Sequence, residues 1–488
     1  MVCPYCGGRF RISRPVDVDD ERVRYGLVEC RCFAFPIVDG VLLLSLAKAY
    51  GGAEEALQPY VPLQVAAVQH LEADDVDGLR AWIRRHAPLV ADLIDRPDQT
   101  YLGFWARLQR ELDLHVDAYL EDYGGYEVVG SPKRSVVDAL RRRLRPAGPP
   151  ALPTPADFYP ARYSSPRVNA LALQFRALPP AERVLSLCCG HGVFENLLRA
   201  TGHRGETVSI DGQLLNLLIT RRFAGRDGNY ICHDVQFPLP FPSATFDGVL
   251  SSTCLPEIPA QQPFASEAIR VTSNPGWTVF DTIWNTDVMG VERVDPQRHY
   301  RFAQNFFADL ADYVPMFEAC AGPGRRVGVD VPDVPSAYLD GPRWQFGAEV
   351  DKALAGRADD LISVVVLGSA FPGFRDPDLA WLGAGPLAVS LAFDASVGSE
   401  GVDLVRRPAF ESLPALFAPR RFGGYPETAR VDLDRTDDPA YLTELYTAAT
   451  VTLVPPDFTD DGTRLLPARR GHEGTGTSSR PAGGAAGG

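Results

Sequence analysis

The stretch Arg183-Val184-Leu185-Ser186-Leu187-Cys188-Cys189-Gly190-His191-Gly192 decides the fold of this chain. A strand-like apolar run leads into a turn of small residues, and a helical pattern from Val193 to Ala200 follows. Small residues at such a turn let the backbone bend sharply and approach a ligand closely. The pattern predicts a strand, a ligand-binding turn and a helix, which is the first unit of a parallel α/β sheet.

Working outward, short apolar segments alternate with helical patterns across residues 157–370. Such alternation is typical of a mostly parallel sheet with helices on both faces. We therefore expect an α/β fold with a seven-stranded sheet. The predicted strands are Arg183–Leu187, Thr207–Ile210, Asn229–Cys232, Phe246–Ser251, Trp277–Asp281, Arg326–Asp330 and Leu361–Leu367.

The remaining chain divides by composition. Apolar residues at helical spacing predict a helical region over 49–145, and a run of prolines marks a linker at 146–156. Residues 371–468 form a C-terminal extension of less regular pattern. A tail rich in glycine, serine, threonine and alanine, 469–488, is expected to be disordered.

Composition excludes several classes of protein. The 488 residues are 45% hydrophobic and 23% charged, which permits a substantial core, and the net charge of −14 disfavours a surface that grips nucleic acid or an anionic membrane. No stretch approaches the roughly 18–20 apolar residues of a membrane span. The N-terminus lacks the pattern of a secretory signal, so we expect a cytoplasmic protein without a membrane partner.

Four of the nine cysteines fall within residues 1–48: Cys3, Cys6, Cys30 and Cys32. Clustered cysteines in a reducing compartment are more often metal ligands than disulfides. Four thiolates suit the tetrahedral geometry of Zn²⁺, and a site with four sulfur ligands is closed to water. The spacing predicts a structural zinc ribbon with no catalytic role; a metal-free cysteine cluster is the alternative.

This N-terminal segment resembles the zinc ribbon of the small activator proteins that partner methyltransferases. The matching features are Cys3-Pro4-Tyr5-Cys6, the second cysteine pair, and the run from Phe35 to Leu43. The family usually has tyrosine where Phe35 stands.

Two acidic residues follow the glycine-rich turn, one at the end of each of the next two predicted strands. Asp211 ends the second predicted strand about twenty residues after the turn, where a carboxylate can accept hydrogen bonds from ribose hydroxyls. Asp234 ends the third predicted strand. Together they indicate a nucleoside-binding sheet edge.

With these residues, the region resembles a class I S-adenosylmethionine-dependent methyltransferase, whose sheet is Rossmann-like. The resemblance matches Val184–Gly192 to the first motif, Asp211 to the ribose acid and Asp234 to the adenine-side acid. It implies S-adenosyl-L-methionine as cofactor. The cofactor-binding residues it implies are Ser186, Cys188, Gly190, Gly192, Asp211, Gly212, Asp234, Val235 and Ser251.

Three residues depart from the family pattern. Ser186 stands where an acidic residue usually helps to hold the charged end of the cofactor, Cys188 where glycine is commonest, and His191 where threonine or serine is common. The loss of a charge at Ser186 removes some electrostatic stabilisation. A non-catalytic, partner-binding protein is therefore one alternative to an enzyme.

The acceptor is less well specified. The fourth predicted strand ends in Ser251-Ser252-Thr253-Cys254 and lacks the Asn/Asp-Pro-Pro-aromatic motif of enzymes that methylate amides or adenine. His299 follows the fifth strand and is a weak candidate for a catalytic base. Trp284, Tyr338 and Trp344 either line an acceptor pocket or form the core of an insertion.

The leading hypothesis is methyl transfer to a small molecule or biosynthetic intermediate. The alternative enzyme is a guanine methyltransferase acting on ribosomal or transfer RNA, which net acidity disfavours because RNA binding needs a positive groove.

Overall fold

The fold is seen in a computed structural model. It describes residues 1–19, 22–44, 63–108, 110, 160–203, 205–225, 227–258, 260–283, 310–331, 335–354, 362–375, 382, 386–407, 425–460 and 464–466. The predicted linker and the predicted disordered tail lie outside these residues.

A mixed sheet of twelve strands runs through the described part of the chain. Its strands are β1 (Arg11–Asp19), β2 (Arg22–Glu29), β3 (Ala34–Val38), β4 (Val41–Leu43), β5 (Arg183–Leu187), β6 (Glu206–Asp211), β7 (Asn229–Cys232), β8 (Phe246–Ser252), β9 (Thr272–Ile283), β10 (Arg326–Asp330), β11 (Gln345–Phe346) and β12 (Ile362–Leu367).

All seven predicted strands are present, in the order β7-β6-β5-β8-β9-β12-β10. Pairing is parallel from β7 to β9, whereas β12 runs antiparallel to both of its neighbours. The α/β methyltransferase-type fold class is thereby confirmed. The sheet is larger than predicted because β1–β4 extend it at one edge and β11 at the other.

Helices cover both faces of the sheet. They are α1 (Leu63–Glu72), α2 (Val76–His86), α3 (Pro88–Asp95), α4 (Pro166–Ala177), α5 (Val193–Ala200), α6 (Leu214–Ile219), α7 (Gln261–Val271), α8 (Leu310–Ala321), α9 (Ala348–Leu354) and α10 (Pro439–Thr447). Adjacent residues of a strand point to opposite faces, so Val184 belongs to one buried cluster and Leu185 to the other. Among the described residues, no helix combines the length and apolarity needed to cross a lipid bilayer.

The N-terminal strands continue the sheet instead of forming a separate body. Strand β4 pairs in parallel with β7, with Leu42 opposite Ile231, and the amide of Leu44 donates to the Cys232 carbonyl at 2.8 Å. The cysteine-bearing segment is therefore held by main-chain hydrogen bonds next to the strand that precedes Asp234.

The C-terminal extension packs against α4 and the segment that precedes it. Its strands are β13 (Leu387–Val389), β14 (Phe393–Val397), β15 (Gly401–Arg406), β16 (Thr428–Asp432) and β17 (Val451–Leu453). The Asn169 side-chain amide on α4 donates to the carbonyls of Tyr446 and Val451 at 2.7 and 3.1 Å. The hydroxyl of Tyr425 donates to the Ser164 carbonyl at 2.8 Å.

An ionic contact reinforces the junction between the N-terminal strands and the rest of the sheet. Asp39, in the turn between β3 and β4, is 5% exposed and accepts from the guanidinium groups of Arg24 at 3.1 Å and Arg221 at 2.8 Å. Arg221 belongs to the segment that follows α6. Because one carboxylate binds both cations, its removal would leave two partly buried positive charges side by side.

We expect Asp39→Asn to lower the free energy of unfolding by about 2 kcal/mol, the scale of a lost hydrogen bond to a charged group. Asparagine tolerates the positive φ of 44° at this position, so the loss reports on charge and not on backbone strain. Chemical denaturation measures the change.

The matched control is Glu29→Gln, because Glu29 pairs with the exposed Arg11 at 3.3 Å. Its effect should stay within about 1 kcal/mol. Equal losses in both variants would contradict a special role for Asp39 at the junction.

Candidate active site

The predicted cofactor residues meet at one edge of the sheet. Strand β5 lies between β6, which leads on to β7, and β8, which leads on to β9, so the chain order reverses at the β5–β8 gap. Ligands of open α/β sheets bind in the crevice outside the carboxyl ends of the strands at such a switch point. We call this gap the switch-point crevice.

The turn after β5 has the backbone that its sequence predicts. Gly190 and Gly192 adopt positive φ angles of 54° and 78°. A Cβ on Gly192 would lie 2.5 Å from the Cβ of Ala224, so only glycine fits there. A Cβ on Gly190 would meet no atom closer than the Arg162 guanidinium at 4.0 Å, which leaves the backbone open to a ligand.

Asp211 ties this turn to the next strand. Its Oδ2 accepts from the Gly190 amide at 2.9 Å, and its Oδ1 accepts from the Gln213 amide at 2.9 Å and the Asn216 side chain at 3.1 Å. A carboxylate offers about four acceptor positions, which suits the role of ribose acid that the resemblance implies for Asp211.

The residues predicted on the adenine side follow β6 and β7. Asp234 is buried and accepts from the Gln236 amide at 3.0 Å, and Val235 packs in the apolar cluster of the other sheet face. The Gly212 carbonyl accepts from the Cys232 thiol at 3.5 Å. Asp211 and Asp234 therefore stand at the ends of neighbouring strands.

Ser186 lies in a buried polar cluster that the sequence did not reveal. It pairs with Ser209 across β5 and β6, and the Ser209 hydroxyl donates to Glu195 Oε1 at 2.7 Å. Burial raises the pKa of Glu195, while hydrogen bonds from Ser209 and Ser186 oppose the shift. Glu195 of α5 thus places an acidic group beside Ser186, the strand position at which the resembled methyltransferases usually carry an acidic residue.

Ser251 is the predicted site residue on β8, opposite Leu187. Its hydroxyl oxygen is buried and has no hydrogen-bond partner among the described residues. A buried, unpartnered hydroxyl at the crevice favours a site that binds a polar ligand. Cys188, also predicted to bind the cofactor, is joined by a disulfide to Cys254 on the far side of the crevice.

Two residues that the sequence analysis did not assign to the site, Arg162 and Tyr163, contact the glycine turn and the loop after β8. The Arg162 guanidinium donates to Thr253 Oγ1 at 2.9 Å, and the buried Tyr163 hydroxyl donates to the His191 carbonyl at 3.0 Å. Burial and the positive charge of Arg162 lower the pKa of His191 to about 3, so this imidazole is neutral at pH 7. Its ring lies 4.9 Å from that of Trp105, which belongs to the helical region before the linker.

Beyond β8, the same edge carries a buried ion pair. The Asp281 carboxylate at the end of β9 binds Arg167 of α4 at 2.5 Å and accepts from Ser363 at 2.6 Å and Ser252 at 3.0 Å. Burial alone would raise the pKa of Asp281, but Arg167 and the serine hydroxyls hold it below its usual value. Asp281 is therefore a fixed negative charge.

Asp330 at the end of β10 is a second buried carboxylate with different properties. It lines a cavity of about 240 Å³ whose other lining residues are Val331, Arg343, Gln345, Glu349, Lys352 and Ala353. Tyr338 donates to its Oδ2 at 2.7 Å, as does Gln174. Burial raises the pKa of Asp330 to about 6 despite these hydrogen bonds.

Of the other residues predicted on the acceptor side, two are buried and two lie outside the described residues. Tyr338 and Trp344 are both buried, which favours the interpretation that they form the core of the insertion. His299 and Trp284 lie outside the described residues, so their roles stay predictions.

The four N-terminal cysteines converge. Their sulfur atoms lie within 4.8 Å of one another, with Cys6–Cys30 at 3.8 Å and Cys3–Cys32 at 3.5 Å. A tetrahedral zinc with bonds of about 2.3 Å requires sulfur separations of about 3.8 Å. The Gly8 amide lowers the pKa of Cys6 to about 7, which favours the thiolate that a metal needs.

The raised pKa of Asp330 predicts a pH dependence of stability. The native state binds its proton more tightly than the unfolded chain, where the pKa is about 4. Wild type should therefore lose stability relative to Asp330→Asn, by an order of 2 kcal/mol, as pH rises from about 4 to about 6. Denaturation of both proteins across this range measures the difference.

The variant Tyr338→Phe provides a second test of the raised pKa of Asp330. It removes a hydrogen bond that stabilises the Asp330 carboxylate, so the titration should move to higher pH. A stability difference between wild type and Asp330→Asn that does not vary with pH would contradict the raised pKa.

Comparisons with known proteins agree with this geometry. Residues 185–280 match the family model of a methyltransferase domain. No curated protein matches the chain. The resemblance of the N-terminal segment to the activator family stays a prediction.

Several solved structures align with part of this chain over most of their own length. A complex of the Trm112 methyltransferase activator with a methyltransferase from Haloferax volcanii is 18% identical, over 41% of this chain and 89% of that one, with a TM-score of 0.31. A methyltransferase from Bacillus halodurans is 17% identical over 43% and 99%, with a TM-score of 0.29. The plantazolicin methyltransferase BpumL is 12% identical over 55% and 99%, with a TM-score of 0.31.

The match of residues 185–280 to a methyltransferase domain supports the expectation that this protein is an enzyme.

Proposed function

We propose that this protein transfers a methyl group from S-adenosyl-L-methionine to a small-molecule acceptor. The observation that carries it is the hydrogen-bonded unit of Asp211 and the Gly190 turn at the switch-point crevice, within the segment that matches a methyltransferase domain. The open approach at Gly190 and the unpartnered hydroxyl of Ser251 suit a polar cofactor.

Each part of the crevice has its own task in binding. The glycine turn offers backbone at close approach, Asp211 accepts from ribose hydroxyls, and Asp234 stands on the adenine side. Arg162 binds the loop after β8 and Tyr163 binds the glycine turn, so the two residues border the crevice. When bound, the cofactor supplies an electrophilic methyl group on a sulfonium; the protein's share is to align the acceptor with it.

The charge of the chain favours a small molecule over RNA. Its net charge is −14, whereas a nucleic-acid backbone needs a positive groove. The carboxyl end of β8 and the residues after it, Ser251-Ser252-Thr253-Cys254, also lack the Asn/Asp-Pro-Pro-aromatic motif of enzymes that methylate amides or adenine.

Asp211→Ala should weaken the binding of S-adenosylhomocysteine by about 10- to 100-fold, because hydrogen bonds to a charged acceptor contribute about 1.5–3 kcal/mol. Calorimetric titration of reduced, full-length protein measures the dissociation constant. Circular dichroism checks that the variant is folded.

Asp247→Ala is the matched control. Asp247 also accepts from two main-chain amides, those of Glu182 and Arg183 at 3.0 and 3.1 Å, but at the opposite edge of the sheet. It should leave the dissociation constant unchanged. Failure of well-folded wild type to bind S-adenosylhomocysteine would overturn the proposed function.

We further propose that Cys3, Cys6, Cys30 and Cys32 bind one structural zinc ion per chain. The convergence of the four sulfur atoms within 4.8 Å supports it. The separation of Cys6 and Cys30, 3.8 Å, equals that of a tetrahedral zinc site, whereas Cys30 and Cys32, at 3.1 Å, would have to move apart by about 0.7 Å. Four sulfur ligands leave no position for water, so the ion stabilises the N-terminal strands and takes no part in methyl transfer.

Mass spectrometric metal analysis should find one zinc per chain in wild type, and Cys30→Ser should lower the zinc content and the temperature of unfolding. Cys320→Ser, which changes a cysteine remote from the cluster, should alter neither. Well-folded protein without zinc, or zinc that survives Cys30→Ser, would contradict the assignment.

A further inference from the structure

Two cysteines face each other across the switch-point crevice. Cys188 lies in the turn after β5, and Cys254 lies in the loop after β8. Their Cα atoms are 6.1 Å apart and a disulfide joins them, although 66 residues separate them in the chain. This separation lies within the range of about 4.4–6.8 Å that a disulfide spans.

The bridge lies where the fold leaves room for a ligand. β5 and β8 are adjacent, with Leu187 opposite Ser251, so the two cysteines stand just beyond the carboxyl ends of both strands. Open α/β sheets bind ligands in this position. A disulfide here ties the turn after β5 to the loop after β8.

The backbone on both sides of the bridge is held in an uncommon conformation. Cys188 has a φ of 55° and Thr253, next to Cys254, a φ of 58°. Residues other than glycine rarely adopt such angles, which persist only where other contacts impose them. On the β8 side, Arg162 makes such a contact with Thr253.

The two sulfur atoms differ in access. Cys188 is half-buried, whereas Cys254 is 6% exposed. An external thiol therefore reaches Cys188 first, and Cys254 is the natural leaving group. Cys189, the neighbour of Cys188, is itself buried and joins no disulfide, so only one of the two adjacent cysteines belongs to the bridge.

We propose that Cys188 and Cys254 form a redox-modification site that gates cofactor binding. The disulfide narrows the switch-point crevice, and reduction by a low-molecular-weight thiol opens it. This gating rests on the proposed function, since it concerns the same cofactor site.

Opening proceeds by thiol–disulfide exchange. A thiolate attacks Cys188 Sγ, the bond to Cys254 Sγ breaks, and Cys254 leaves with the electron pair as a thiolate that takes up a proton. A second thiolate attacks the mixed disulfide and releases Cys188. Two small thiols are oxidised to one small disulfide while the protein disulfide is reduced to two thiols, and closure is the reverse reaction.

The test compares full-length, zinc-loaded protein equilibrated with reduced or with oxidised glutathione. Peptide mapping without reduction identifies the Cys188–Cys254 link, and calorimetry measures S-adenosylhomocysteine binding. The oxidised form should bind at least about tenfold more weakly than the reduced form. Cys254→Ser should bind like the reduced wild type under both conditions, and Cys320→Ser should respond like wild type.

Each other outcome has a definite meaning. Equal binding by the two forms overturns the gating and leaves the proposed function intact, as does the absence of a Cys188–Cys254 link after oxidation. Absence of binding by both forms and by Cys254→Ser overturns the gating and the proposed function together. If Cys254→Ser does not fold, the comparison of reduced with oxidised wild-type protein is enough to decide whether the disulfide weakens binding.

Discussion

The hydrogen bonds of the Asp211 carboxylate are the constraint on which the site depends. One side chain at the end of β6 fixes the Gly190 amide of the turn after β5 and the Gln213 and Asn216 groups at the start of α6. Three consecutive elements are thereby held in register at the crevice. Gly190 and Gly192 adopt the positive φ angles of the turn without a steric penalty, and a Cβ at Gly192 would clash with Ala224.

The sequence predicts the sheet well because its central strands are short, apolar and separated by turns. Both faces of β5 and β12 are buried, so these two strands consist mostly of hydrophobic residues. The pairing of β4 with β7 could not be predicted in the same way. Its partners, such as Leu42 and Ile231, are far apart in the chain, and no local pattern specifies which sheet edge an added strand joins.

The site residues that the sequence predicts depend on local patterns, whereas those that it misses depend on contacts between distant parts of the chain. The glycine turn, Asp211 and Asp234 are recognisable because each lies at or just after the carboxyl end of a strand. Glu195 was missed, because its contact with Ser209 connects α5 to β6 through the core. Cys254 was missed as the partner of Cys188 for the same reason. Through-space contacts of this kind leave no periodic signal in the sequence.

The cysteines of this chain are arranged for two chemistries, and the difference between the two arrangements is geometric. Four sulfur atoms gathered within 4.8 Å suit a metal, whereas the pair across the crevice suits a disulfide. Under the two proposals, reducing conditions would keep Cys3, Cys6, Cys30 and Cys32 available as thiolates and would keep the switch-point crevice open. An oxidant strong enough to close the crevice would also act on ribbon thiols without metal. Bound zinc would therefore confine oxidation to the crevice, because it occupies the four ribbon thiolates and leaves Cys188 and Cys254 to respond.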